Sequence, residues 1–246
     1  MRDINRFTNI LQVLVNKYQD QEIWKEVNET LEEIGGNVDK KDFYNPFKHI
    51  IIGILAQNTS DRNCVLAYSG LKKAIGDINP ENLANANEDF VKEAIRSGGL
   101  YNVKAKRIIE VSNYILKTYN GDISSILKES TEEALKQLLK IKGIGIKTAE
   151  VFLVYIGKRK LFPIDTNIKR VLWRIGITNQ KNKYIIIQEK VKKNLEEDKF
   201  QLAHELLIRL GRDYCKAPKP KCSDCPINEL CEKNIEPPKK KRKNSK

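Results

Sequence analysis

Two glycines separated by one residue, Gly143 and Gly145, lie between two runs in which apolar side chains recur at helical spacing. The runs span residues 132–140 and 146–157. Because glycine has no Cβ, such a pair lets the chain turn sharply and lets another backbone approach closely. The exposed N–H groups at the start of the second helix can then bind an anion. The sequence therefore predicts two helices joined by a hairpin with a phosphate site at the turn.

The rest of the chain shows the same helical periodicity, and no segment shows the clear alternation of a strand. We therefore predict an all-α fold. The further helical runs are Ile4–Tyr18, Ile23–Ile34, Phe47–Leu55, Val65–Ile75, Ala105–Leu116, Tyr184–Leu195 and Gln201–Leu210.

A lysine and an aspartate near the hairpin are candidates for chemistry. Lys147 is in the first turn of the second helix, and Asp165 precedes the run Thr166–Arg174, which it is expected to cap. An amine attacks carbon only when neutral, and a free lysine with a pKa near 10.4 is neutral in roughly one molecule in 2,500 at pH 7. Desolvation or a neighbouring base must therefore help. Each residue alone has a simpler interpretation, a solvated or phosphate-binding lysine and a plain helix cap.

Four of the five cysteines are clustered near the C-terminus. They have the spacing C-x6-C-x2-C-x5-C, and they are Cys215, Cys222, Cys225 and Cys231. We expect no signal peptide at the charged N-terminus and no need for disulfides in a chain of 246 residues, so a metal site is favoured over a disulfide knot. Zinc more often uses two paired C-x2-C knuckles, whereas four thiolates also suit a [4Fe-4S] cluster. The residue pattern alone leaves both metals open.

The charge of the chain favours a partner rich in phosphate. The formal net charge is +13, and six of these charges belong to residues 239–246. The remainder suffices for a salt-sensitive attraction to nucleic acid, although RNA or an acidic membrane surface would also suit a basic protein. No run of about 18 apolar residues is present, so we expect no membrane span.

The hairpin, the order of Lys147 and Asp165 and the cysteine spacing together resemble the endonuclease III family of DNA glycosylases and apurinic/apyrimidinic lyases. The resemblance covers roughly residues 40–235. It implies that the four cysteines bind a [4Fe-4S] cluster that is structural and not catalytic. Lys219 and Lys221, between the first two cysteines, would then face DNA phosphates from a rigid loop, whereas their simpler role is solubility.

The resemblance also implies the helix-hairpin-helix DNA glycosylase fold. In that fold residues 38–157 form a six-helix barrel domain, and residues 1–37 and 158–236 form an iron–sulfur cluster domain from both termini. A cleft between the domains carries the hairpin on one wall and Asp165 on the other. Residues 237–246 are expected to form a disordered basic tail.

The activity implied by the resemblance is that of a bifunctional enzyme of base excision repair. Lys147 attacks C1′ of a damaged nucleotide, the base leaves, and the resulting Schiff base drives β-elimination at the 3′ phosphate, with Asp165 as catalytic partner. The expected partner is duplex DNA with an oxidised pyrimidine or an abasic site, bound by a monomer. We expect the protein to be intracellular and with the DNA, in the cytoplasm and nucleoid, or in the nucleus of a eukaryote.

Two alternatives accompany this interpretation. A mismatch or uracil-type glycosylase would use the same fold, although relatives without lyase activity typically carry another residue at position 147. A non-catalytic iron–sulfur protein that binds DNA would need neither Lys147 nor Asp165, so replacing either residue would change no activity.

Several residues are expected to contact DNA, because an enzyme that extrudes a base must fill the gap. In the family, the glutamine matching Gln57 enters the vacated space beside Asn58, and Leu100 is a candidate wedge between bases. The alternatives are a polar turn that ends a helix and a buried loop anchor. The other expected contacts are Gly143, Gly145, Ile146, Thr148 and Asn167.

Two positions depart from the bacterial-type pattern of the family. Asn167 replaces a histidine two residues after the aspartate, and Lys142 replaces a proline at the start of the hairpin. The first departure lies among groups that contact the DNA backbone or fill the gap. It therefore bears on damage preference more than on lyase activity.

Overall fold

A computed structural model describes residues 2–19, 25–33 and 38–235, and every regular element within these ranges is helical. The prediction of an all-α fold is therefore confirmed. The helices are α1 Arg2–Tyr18, α2 Lys25–Glu33, α3 Pro46–Leu55, α4 Asp61–Ile75, α5 Pro80–Ala84, α6 Glu88–Ala94, α7 Tyr101–Tyr119, α8 Thr131–Lys140, α9 Ile146–Tyr155, α10 Thr166–Arg174, α11 Tyr184–Asn194 and α12 Phe200–Asp213. Short 3-10 turns lie between several of them.

The predicted runs correspond to helices with shifted ends, and the ends Ile23 and Ile34 of one run lie outside the described residues. Ser60 caps α4, since its hydroxyl accepts a hydrogen bond from the N–H of Asn63. Helices α5 and α6 were not predicted. They are too short to show a helical period, but each starts at an asparagine whose side chain accepts a bond from the first turn, Asn79 and Asn87.

The described residues form two compact units, and the larger one runs from α2 to Pro163. Its core consists of almost fully buried apolar side chains from α3, α4, α7 and α9, each of which contributes roughly 1.5–3 kcal/mol by burial. This packing places the hairpin between α8 and α9 beside the C-terminal end of α3 and beside Arg107 of α7. The core includes Ile50, Ile54, Val65, Leu71, Ile108, Val111, Ile115, Leu138, Ala149 and Phe152.

The second unit combines α1 with the chain from Ile164 onward. In this unit α12 packs against both α1 and α10. The buried apolar side chains of these helices are Phe7, Ile10, Leu14, Ile168, Val171, Leu172, Leu206, Leu207 and Leu210. Their packing supports the start of α10, where Asp165 lies, and the cysteine-containing segment after α12.

The boundaries of the two observed units differ from the boundaries of the predicted domains. Helix α2 packs on α4, and Leu31 joins the core of the larger unit, although residues 1–37 were assigned to the other domain. The predicted barrel domain at 38–157 and the cluster domain stay predictions. The predicted tail, residues 237–246, lies outside the described residues. No helix in the described part of the chain is long and apolar enough to cross a membrane.

Candidate active site and cysteine cluster

The hairpin between α8 and α9 requires glycine at one of its two glycine positions. Gly143 has φ of 93°, and a Cβ added there would lie 2.3 Å from Cδ of Arg107. Gly145 has φ of −89°, which any residue adopts, and an added Cβ would meet nothing within 4 Å. Of the two glycines, only Gly143 therefore adopts a backbone conformation that disfavours other residues. At Gly145 the missing side chain leaves open space in front of α9.

The start of α9 presents backbone N–H groups without a side-chain cap. Gly145 is the N-cap residue and supplies no side-chain acceptor. Ile146 and Lys147 are exposed, whereas Thr148 is partly buried with its methyl group against Gly53 of α3. Because the positive end of the helix dipole is uncapped beside open space, this turn can accept an anion such as phosphate.

Lys147 lies on the rim of a small pocket in the larger unit. The pocket is also lined by His49, Gly53, Thr148 and Val151. Lys147 itself is exposed. Burial lowers the pKa of His49, and the charge of Lys147 acts in the same direction. Since the carbonyl of Phe43 can only accept, Nδ1 of the neutral His49 ring donates to it at 2.7 Å.

Gln57 connects the hairpin to α7 through the two ends of its amide. Its Nε2 donates to the carbonyl of Gly143 at 3.4 Å, and its Oε1 accepts from Nη1 of Arg107 at 2.5 Å. Gln57 lies just after α3, so it also occupies the predicted polar turn. Arg107 was missed from the sequence, because nothing in its helical run indicates a partner 50 residues away. Asn58 is exposed with φ of 54°.

Leu100 is presented to solvent at the start of α7. Its side chain is 56% exposed, so it is not a buried loop anchor. Its backbone has φ of 50°, and Gly99 before it has φ of 64°, so two left-handed residues in succession turn the chain outward. Tyr101 packs against the core, with the guanidinium of Arg96 5.7 Å from its ring centroid.

Asp165 caps α10 as predicted, and its second oxygen is also bound. Oδ1 accepts from the N–H of Ile168 at 2.7 Å, and Oδ2 accepts from Nδ2 of Asn167 at 3.0 Å. Oδ1 of Asn167 in turn accepts from Nη2 of Arg170 at 2.8 Å, and Nε of Arg170 donates to the carbonyl of Cys215 at 2.8 Å. A continuous chain of hydrogen bonds therefore connects the carboxylate to the cysteine segment.

The four clustered cysteines line one cavity, whose wall also includes Ile175, Leu210, Ile227 and Ile235. Within the ranges that the structure describes, no group of three or more His, Cys, Asp or Glu side chains is arranged to hold a single metal ion. Burial raises the pKa of Cys225 to about 11, and the other three thiols act in the same direction. Burial also raises the pKa of Cys231. A thiolate form of this group therefore needs a compensating positive charge.

The cysteine segment is fixed by Arg174 at the end of α10, which is 6% exposed. Its guanidinium donates to the carbonyls of Cys215, Lys216 and Ala217 at 2.7–3.3 Å, and to Sγ of Cys215 at 3.4 Å. The N–H of Lys233 is 3.3 Å from Sγ of Cys231. Both donors are directed at sulfur, as are the hydrogen bonds found around metal-bound ligands. Lys219 and Lys221 are exposed on the same segment.

Comparison with known proteins places this geometry in context. Residues 51–197 match the family model of the HhH-GPD superfamily base excision DNA repair protein. Endonuclease III of Sulfolobus acidocaldarius is 34% identical over 203 residues, covering 79% of this chain and 89% of that protein. A putative DNA repair glycosylase of Methanocaldococcus jannaschii is 36% identical over 188 residues, covering 74% of this chain and 84% of that protein.

Among solved structures, a non-covalent endonuclease III–DNA complex superposes with a TM-score of 0.76 at 23% identity. The match covers 94% of this chain and 95% of that chain. At this identity the superposition establishes the shared fold.

The contacts of Arg174 generate a stability prediction. Replacing Arg174 with Met keeps the length of the side chain but leaves the carbonyls of Lys216 and Ala217 without their arginine donor, whereas the carbonyl of Cys215 keeps the bond from Arg170. We expect a loss of about 3–5 kcal/mol in the free energy of unfolding, measured by urea denaturation. Lys169→Met, at an exposed position of the same helix, is the control and should change stability by less than about 0.5 kcal/mol. Equal losses of stability in the two variants would contradict the role of Arg174 in fixing the cysteine segment.

Proposed function

The chain belongs to the endonuclease III family, within the HhH-GPD superfamily of base excision DNA repair proteins, and on this basis we propose that it is a bifunctional DNA glycosylase and apurinic/apyrimidinic lyase. One observation supports this most strongly. Lys147 is exposed in the uncapped first turn of α9, directly after the open space at Gly145. A phosphate bound at this turn would bring a nucleotide sugar to the amine.

Lys147 is the proposed nucleophile. Its Nζ forms a bond to C1′ as the glycosidic bond breaks and the damaged base leaves, and the sugar ring opens to a Schiff base. Loss of a proton from C2′ then expels the 3′ phosphate, and water releases the lysine. Because Lys147 is exposed in the free protein, the bound nucleotide must supply the desolvation that favours the neutral amine.

Asp165 is the proposed acid–base partner. Its carboxylate is held by two hydrogen bonds, from the N–H of Ile168 and the amide of Asn167, which fix its orientation before substrate binds. Held in this way, it can accept a proton from the attacking amine and stabilise the positive charge that develops on the sugar. A plain helix cap would need only the first of these bonds.

The proposed DNA contacts lie on three segments of the larger unit. Leu100 is the wedge, and Gln57 with Asn58 fills the gap that the extruded base leaves. The hairpin from Gly143 through Thr148 binds a phosphate. In the second unit, Lys219 and Lys221 are exposed and available for phosphates. Asn167 differs from the others, because its amide is engaged by Asp165 and Arg170, so it acts mainly by orienting the carboxylate.

The proposed cofactor is a [4Fe-4S] cluster held by Cys215, Cys222, Cys225 and Cys231. The apolar cavity wall, the four neighbouring thiols and the donors aimed at two of the sulfurs support this assignment. When bound, the cluster supplies metal–thiolate bonds that stabilise the segment, and it has no role in the reaction.

The proposed substrate is duplex DNA with an oxidised pyrimidine or an abasic site. We propose that the protein binds it as a monomer and that the protein is located with the DNA of the cell.

Borohydride trapping tests the reaction and the nucleophile together. Duplexes carrying thymine glycol, uracil, a T·G mismatch or an abasic site are incubated with wild type and with Lys147→Ala, and the reduced adducts are separated by electrophoresis. We expect adducts on thymine glycol and abasic DNA with wild type only, because borohydride reduces the Schiff base formed by Lys147 to a stable covalent adduct.

Lys142→Ala is the matched control for this experiment, since Lys142 is an exposed lysine of the same hairpin, paired with Glu110 at 3.1 Å. It should trap like wild type. Adducts on uracil or T·G duplexes alone would assign a mismatch or uracil-type glycosylase. Unchanged activity of both Lys147→Ala and Asp165→Asn would instead support a non-catalytic DNA-binding protein.

The open space at Gly145 generates a binding prediction. Gly145→Ala fits the backbone without strain, so it should change stability by less than about 1 kcal/mol in either direction. The added methyl group points into the space where a phosphate would lie, so we expect duplex affinity, measured by fluorescence anisotropy at fixed salt, to fall about tenfold, equivalent to ~1.4 kcal/mol. Wild-type affinity in this variant would show that the backbone of the hairpin does not contact the DNA.

The cofactor assignment predicts iron in the purified protein. We expect about four iron atoms and four sulfides per chain, with broad visible absorbance, and loss of both in Cys222→Ser. Cys64→Ser is the control, because Cys64 is buried in the larger unit, with its sulfur 3.7 Å from the carbonyl of Ile52. It should retain the iron. Stoichiometric zinc without iron would contradict the assignment.

A further inference from the structure

Lys104 is a lysine in the interior of the larger unit, and the reaction described above does not use it. It lies on α7, and only 1% of its surface is exposed. Its Nζ donates to the carbonyl of Leu55 at 2.7 Å and to the carbonyl of Gly98 at 2.8 Å. A buried lysine normally costs stability, so its contacts call for a specific explanation.

The two carbonyls belong to the segments that carry the proposed DNA-probing residues. Leu55 is the last residue of α3, two positions before Gln57, and Gly98 ends a 3-10 turn two positions before Leu100. Carbonyls at the end of a helix have no partner within the helix. Lys104 satisfies one carbonyl of each segment with a single amino group, and it therefore ties the two segments together.

The segment before Leu100 needs such support because its backbone is unfavourable. Leu100 is a non-glycine residue in the left-handed region, which costs roughly 1–2 kcal/mol, and its apolar side chain is exposed. Two features oppose relaxation of this turn. The N–H of Lys104 donates to the carbonyl of Leu100 at 3.0 Å, and a Cβ at Gly98 would lie 2.9 Å from Cβ of Ala67, so Gly98 packs tightly on α4.

We propose that Lys104 is a positioning residue that holds the wedge Leu100 in register with the gap-filling Gln57, so that both enter the duplex in one preformed arrangement. This inference rests on the proposed function. The two hydrogen bonds from Lys104 do not depend on a charge. Burial lowers the pKa of Lys104, but the neutral amine and the ammonium group both supply the two donors that the carbonyls need.

The first test compares Lys104→Met with Val111→Ala. Met fills the space of the lysine but donates no hydrogen bond, and Val111 is a buried core residue of the same helix, 1% exposed, that contacts neither carbonyl through a polar group. Hydrogen exchange is measured by mass spectrometry on peptides covering residues 54–58 and 98–101. We expect exchange in both peptides to accelerate about tenfold or more in Lys104→Met, and not in Val111→Ala at matched stability.

The second test asks whether the two hydrogen bonds from Lys104 contribute to base extrusion. Unstacking is followed with 2-aminopurine beside the lesion, and single-turnover rates are compared on a damaged base and on an abasic site. An abasic site has no base to expel, so we expect Lys104→Met to lose about tenfold on the damaged base and less than about threefold on the abasic site. In a Leu100→Ala background, Lys104→Met should add little, because both changes remove the same arrangement.

The outcomes separate this inference from the proposed function. A wild-type protein inactive on every duplex would contradict the proposed function. An active wild type, with Lys104→Met matching Val111→Ala in exchange and in both rates, would contradict the positioning role alone, as would equal losses on damaged and abasic DNA. If Lys104→Met does not fold, Lys104→Gln retains one amide donor group and should show the same pattern at a smaller amplitude; a uniform loss on both substrates would overturn the inference.

Discussion

The contact between the Gly143 backbone and the side chain of Arg107 is the constraint on which the candidate site depends. It exists only because Gly143 has no Cβ and can adopt a positive φ. Through this contact α7 supports the hairpin, and the same guanidinium holds Gln57, which also bonds to the carbonyl of Gly143. The position of α9, and with it of Lys147, therefore follows from a close approach of backbone to side chain.

Arginines play a comparable part in the second unit, where they donate to carbonyls at the end of α12 and in the irregular segment after it. Arg170 and Arg174 extend from adjacent turns of α10 and together bond to four carbonyls of residues 211–217. Asp165 lies at the other end of the same helix and is connected to Arg170 through Asn167. The helix thus links the carboxylate to the cysteine segment, and the asparagine that departs from the family pattern is part of the link.

Features of the site that depend on local chemistry could be predicted from the sequence. Asp165 caps its helix as expected, because a capping side chain bonds to backbone groups only three residues away. The hairpin was also predicted, but a spacing of two glycines does not say which one takes a positive φ. Gly143 does, whereas the missing side chain of Gly145 leaves open space in front of the helix.

Contacts between distant parts of the chain could not be predicted. Arg107 and Lys104 bond to partners 50 and 49 residues away. The sequence of α7 shows only the pattern of an ordinary amphipathic helix with basic residues. The one available signal was Lys104 itself, a lysine among the positions that the helical period assigns to the buried face. The sequence also left the exposure of Lys147 open, because burial depends on how α9 packs and not on its own sequence.

The most direct measurement locates the covalent bond to DNA. An adduct between wild-type protein and abasic duplex is reduced with borohydride, digested, and sequenced by tandem mass spectrometry. We expect the sugar remnant to be attached to Nζ of Lys147. Attachment to another amine, such as Lys142 in the same hairpin, would contradict the account of the site.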